Sequence, residues 1–178
     1  LPCGYTAIVY FVTFIKGPIL VSTMTKFYPV KFEIPHVIEW EDWKHECIPH
    51  LRYAASLDIK HLPQFLTHEG KCAIVGAAHS VKDYIDQIKS IVGAGLNIIL
   101  SVNGAHNWLI EHGITPNIHV ISEMDLTDVK VALGGDPHPG VVYYISSYCA
   151  SELFEQLQDY RCVLWHPYCP PEGYQQAI

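Results

Sequence analysis

The sequence predicts an α/β fold built on a mainly parallel sheet. Three observations carry that reading. From Lys71 onward, short apolar runs alternate with segments of helical periodicity. The runs are of strand length: Cys72–Val75, Asn97–Val102, Ile118–Ser122, Val141–Ser146 and Arg161–Trp165. Small and polar residues gather just after them, at Gly76–Ser80, Asn103–His106, Glu123–Asp125 and Ser146–Cys149. Such alternation calls for helices on both faces of the sheet and right-handed crossovers. Ligands in such sheets bind beyond the carboxyl ends of the strands, where strand order reverses.

The N-terminal part is less regular. Ala7–Ile15 is an apolar run, far shorter than the roughly 20 residues a membrane span needs. It has no basic leader and no small-x-small cleavage site. Met24 is the first methionine and reads as a start, with residues 1–23 as upstream read-through. The rival reading is a β-hairpin turning at Gly17-Pro18. Phe27–Ile38, broken by Pro29 and Pro35, reads as one or two extended pieces. Trp40, Trp43, Cys47, Leu51 and Ala54 recur at helical spacing, so Glu39–Leu57 reads as a helix interrupted near Pro49. Its tryptophans read as core more than as a lid. Leu57–Glu69, with Pro63, reads as a linker. Residues 1–69 are thus an N-terminal extension, and residues 70–178 the main domain.

In the main domain, a helix over Val81–Val92 presents Tyr84, Ile85, Ile88 and Ile91 inward and stops at Gly93-Ala-Gly95. Asn97–Val102 is a continuous apolar run of the kind buried on both faces. Helices over Ala105–His112, Leu126–Leu133 and Ser151–Asp159 follow the next strands.

Composition excludes some functions. Hydrophobic content of 49% with 16% charged residues fits a globular chain. A formal charge of -7 leaves no basic stripe to neutralise a nucleic-acid backbone. Six cysteines without a CxxC pair point away from a zinc ribbon or a thioredoxin-like site, and the eleven histidines are scattered with no HExxH. Cys72 and Cys162 read as small buried hydrophobes, consistent with a reducing, cytoplasmic setting. Oligomeric state is not legible.

Three motifs define the candidate site. Gly76, Ala77, Ala78, His79 and Ser80 join a strand to a helix start, where backbone N–H groups and the Ser80 hydroxyl can cradle a phosphate. The structural alternative is that Ser80 only caps the helix, with Asp83 three residues on. Asn103 and Gly104 end the second strand; Asn103 can offer donor and acceptor to a ligand, or cap the next helix. Asp125 and Glu123 end the third strand, where carboxylates suit a ribose hydroxyl or Mg²⁺ held with substrate phosphates. The alternative for Asp125 is a cap on the helix at Leu126. His79 is the histidine placed to touch ligand; His106 could assist, and His119, inside a strand, reads as a core residue. Tyr148 and His166 follow the last two strands.

Three segments, Ala73–Val81, Ile99–Ala105 and Gly113–Asp125, resemble in order and spacing the 6-hydroxymethylpterin diphosphokinase-like family. That family includes motility-accessory proteins associated with flagellin glycosylation, and a related turn in bacterial sialyltransferases binds a cytidine nucleotide. The resemblance covers roughly residues 70–165. It implies a Rossmann-like three-layer sandwich, and a nucleotide, ATP first, as substrate. It further implies a transferase: diphosphoryl transfer to a small hydroxymethyl acceptor with Mg²⁺ at Asp125, or alternatively glycosyl transfer from a nucleotide sugar. A non-catalytic nucleotide- or sugar-binding module is the third reading. A dinucleotide oxidoreductase is disfavoured, because no GxGxxG follows the first strand and Asn103 stands where an acid is expected. The chain departs from the pattern at Ala78-His79, where Gly-Pro is usual, and at Asn117, where Asp is usual. The pattern also runs on past Ile178, so the resemblance implies an incomplete sheet.

Overall fold

A computed structural model describes residues 11–13, 40–62, 71–93 and 98–166. The choice between a Met24 start and a hairpin at Gly17-Pro18, the extended pieces over Phe27–Ile38 and the tail beyond His166 lie outside the described residues, as do the side chains of Trp40 and Trp43.

Six strands form one sheet: β1 Phe11–Thr13, β2 Lys71–Val75, β3 Ile98–Val102, β4 Ile118–Ile121, β5 Val142–Ser146 and β6 Arg161–Trp165. Their spatial order is their sequence order. β1 pairs antiparallel to β2, and β2 through β6 are parallel. The helices are α1 Trp40–Ser56, α2 Ile85–Gly93, α3 Ala105–Glu111, α4 Val129–Leu133 and α5 Ser151–Gln156, with a 3-10 segment, His79–Tyr84, leading into α2. The expected α/β, Rossmann-like arrangement with a mainly parallel sheet is therefore present.

The helices lie differently from expectation. Val75 and Ile99 pack with Val81, Ile88 and Leu109. Ile121, Tyr143, Ile145 and Leu164 pack with Ala132 and Leu133 of α4, Leu153 and Phe154 of α5, and Ala54 of α1. The parallel register puts all these strand residues on one face, since Val75 is opposite Ser101, Ser101 opposite His119, and Ile121 opposite Ile145. Every described helix thus packs on the same face. The reason is the strand order: it never reverses between β2 and β6, and crossovers of one hand that advance in one direction lay each helix on one side. The other face carries Ile74, Leu100, Val120, Tyr144 and Val163, apolar and half-buried.

Two N-terminal expectations are corrected. α1 runs through Pro49 without interruption. Proline removes one backbone donor there, but Cys47, Leu51 and Ala54 are fully or nearly buried on either side, and their packing holds the helix together. The segment after α1 is more than a linker. Leu164 N–H donates to Lys60 O at 2.9 Å and Leu62 N–H to Leu164 O at 2.7 Å, so His61 lies alongside β6 in a parallel bridge.

Asn117 has a structural role. Its side-chain Oδ1 accepts from Ile99 N–H at 2.7 Å, its own N–H donates to Ile99 O at 2.9 Å, and its carbonyl accepts from Val142 N–H at 3.0 Å. One residue ties the entry of β4 to both neighbouring strands.

Candidate functional site

The parallel arrangement puts the ends of β2, β3 and β4 side by side. The three sequence motifs therefore share one edge: Gly76–Ser80 after β2, Asn103–Gly104 after β3 and Glu123–Asp125 after β4. The first two approach closely. A methyl group added at Gly104 would stand 3.7 Å from Ala77 Cβ, and one at Gly76 would stand 3.7 Å from Val102 Cγ2.

The helix after β2 begins at His79, with Ala78 in extended conformation as its cap residue and no side chain capping it. Capping by Ser80 is therefore not how this start is built; Ser80 lies within the first turn, and its side chain falls outside the described residues. The 3-10 geometry closes with Val81 N–H donating to Ala78 O at 3.0 Å. His79 is exposed.

Asn103 has φ +53, the one non-glycine among the described residues in the left-handed region. Asparagine tolerates that conformation better than most residues, but it still marks a constrained turn. The cap position of α3 falls on Gly104 without a side-chain bond, so Asn103 does not cap the helix. Its carboxamide is exposed and makes no hydrogen bond among the described residues.

The cap of α4 is Asp128, whose Oδ1 accepts from Lys130 N–H at 2.9 Å. Asp125 is thereby relieved of the structural role that sequence alone allowed. Asp125 and Glu123 are both exposed. Met124 between them packs on Cys47, Leu51 and Tyr148 and pins the loop to α1. Among the described residues no three His, Cys, Asp or Glu side chains converge as a metal cage.

Two residues of the Ser146–Cys149 loop, which the sequence placed at this edge without a role, belong here as well. Ser146 Oγ accepts from Tyr148 N–H at 3.1 Å. Ser147 is buried, and its hydroxyl has no partner. Cys149 beside them is fully buried; burial pushes its thiol up to about 12, which keeps it protonated and inert as a nucleophile.

The histidines separate by burial. His106 and His119 are both fully buried under the helix layer. Ser101 Oγ lies 2.8 Å from His119 Nδ1, and Tyr143 Oη lies 3.0 Å from His106 Nε2. The rings meet edge to face with centroids 5.2 Å apart. Burial, then the neighbouring His138, lowers His106 to about 4; burial, then His106, lowers His119 to about 3. Both are neutral at physiological pH. Neither is placed to neutralise a phosphate. The signal in the sequence was weak: His119 sits at a core position of a strand, and only the register shows that Ser101 and Tyr143 are its neighbours.

No family model and no curated protein matches this sequence. Among solved structures, the fold is similar to the MAf glycosyltransferase of Magnetospirillum magneticum AMB-1, with a TM-score of 0.50 and 16% identity over 74% of this chain. The match covers 21% of that protein, so this chain spans about a fifth of its length. The likeness is one of fold alone. No comparison supports the diphosphokinase side.

Proposed function

We propose that this chain carries the nucleotide-binding part of a glycosyltransferase, with a nucleotide sugar held across the ends of β2, β3 and β4. The observation that carries this reading is the convergence of Gly76–Ser80, Asn103 and Asp125 on one sheet edge, where neither Asn103 nor Asp125 serves as a helix cap. The fold-level likeness to a glycosyltransferase favours glycosyl over diphosphoryl transfer.

In this reading the backbone N–H groups around Gly76 to Ser80 bind the diphosphate. Asn103 hydrogen-bonds the nucleoside, and Asp125 takes a ribose hydroxyl. Asp125 with Glu123 would also hold Mg²⁺ if the reaction uses it; that ion would neutralise charge developing on the leaving diphosphate. The protein's share of the chemistry is then orientation of the anomeric carbon and neutralisation of the leaving group.

Titration calorimetry with CMP, UDP and GDP and their sugars, with and without Mg²⁺, tests the reading. Binding of one nucleotide, reduced at least tenfold in Asn103→Gly and Asp125→Ala, is expected. Absence of binding by every member of the panel, or binding indifferent to both substitutions, rules it out for this edge. ATP is the comparison ligand: selective binding of ATP would return the site to diphosphoryl transfer.

A further inference from the structure

We propose that His61 and His166 form a two-imidazole chelate for a divalent transition ion of the zinc or nickel kind, at the outer edge of β6. His61 Nδ1 and His166 Nε2 stand 3.1 Å apart. The ring centroids are 5.1 Å apart and the planes tilted by 38°. Two nitrogens on a tetrahedral zinc, each about 2.0–2.1 Å from the metal, are separated by roughly 3.3 Å. The pair already has the spacing of one edge of such a tetrahedron.

The backbone fixes that spacing. Leu164 is bonded on both sides of His61, through Lys60 O at 2.9 Å and Leu62 N–H at 2.7 Å. His61 is opposite Leu164, and His166 follows two residues later, on the same side of the strand. The pair is therefore diagonal across two paired segments, and both rings are exposed to solvent. Little side-chain order has to be created on binding, which is what distinguishes a preorganised chelate from two loose surface histidines.

Metal binding needs the lone pairs of both facing nitrogens, so the proton shared between them moves to the far nitrogen of its own ring. Water fills the remaining coordination positions. Imidazole ligands select zinc, nickel and copper over magnesium and calcium, so this site is chemically distinct from the carboxylates at Glu123 and Asp125.

The test is titration of the metal-free protein with Ni²⁺, followed by calorimetry and by the imidazole signals in NMR. One site is expected that shifts or broadens His61 and His166 together and is unmoved by Mg²⁺. His61→Ala and His166→Ala should each weaken it at least tenfold, whereas His45→Ala, an exposed histidine of α1, should leave it unchanged. Thermal melts provide a second readout: Ni²⁺ should raise the Tm of the wild type and not of either variant. Equal affinity in the wild type and both variants, or signals of His61 and His166 that stay fixed while Ni²⁺ binds elsewhere, would overturn the proposal.

Discussion

His106 Nε2 lies 3.0 Å from the hydroxyl of Tyr143, and both residues are fully buried. The same hydroxyl accepts from His138 N–H at 2.7 Å and faces His138 O at 3.3 Å. A single phenol thus fastens α3 and the loop before β5 to the sheet. Tyr143→Phe leaves the ring packing intact and strips these partners. Leaving buried polar groups unpaired costs about 1–3 kcal/mol. Urea unfolding should show that loss with an unchanged m-value.

Acid stability follows from the same cluster. The unfolded chain protonates its histidines near pH 6.5, but folded His106 resists to about 4 and His119 to about 3. Lowered folded values mean that the unfolded state binds more protons, so stability is full above pH 6.5 and falls as pH drops below it. His106 alone accounts for about 3 kcal/mol between pH 6.5 and 4. Thermal melts over this range should steepen accordingly. The pair His106→Gln and His119→Asn keeps a polar atom near each bonded nitrogen without titrating, and should flatten the curve.

Asn103 separates backbone from chemistry. Its φ of +53 is free for glycine and costs a β-branched residue about 1–2 kcal/mol. Asn103→Gly should melt like the wild type and lose nucleotide binding. Asn103→Val should lose both.

The two aspartates that precede α4 should behave oppositely. Asp128→Ala removes a helix cap and should cost about 1 kcal/mol in chemical denaturation, with ligand binding retained. Asp125→Ala should leave stability unchanged and weaken the ligand.

Gly134 ends α4 at φ +72, and a Cβ there would stand 3.2 Å from Gly104 O. Gly134→Ala combines backbone strain with a push against the turn after β3. About 1–2 kcal/mol of destabilisation is expected, together with weaker nucleotide binding, measured on the same preparation.

The strands were legible because each is a short apolar run bounded by turn residues, and all five from β2 onward lie within a residue or two of their expected bounds. α1 was legible from its spacing, but its continuity through Pro49 was not, since propensity cannot weigh the burial of Cys47 and Leu51. Strand order is a tertiary property, so the placing of every described helix on one face could not be read in advance. The site motifs were legible as loops; which aspartate caps α4 depended on a single hydrogen bond between Asp128 and Lys130. The Ser101–His119 and His106–Tyr143 pairs join residues far apart in the chain, and only the strand register brings them together.

The unreversed strand order also bears on how the chain folds. From β2 to β6 each strand docks beside the one made just before it, so the sheet can grow by addition at one edge, and most closures are short. The N-terminal elements are the exceptions, α1 among them. That helix packs on α5, where Tyr53 meets Glu155 across 102 residues of sequence. That contact carries the entropy of closing a long loop. Because Met124 and Tyr148 pack on the same helix, the position of the loop bearing Glu123 and Asp125 depends on a contact between segments far apart in the chain.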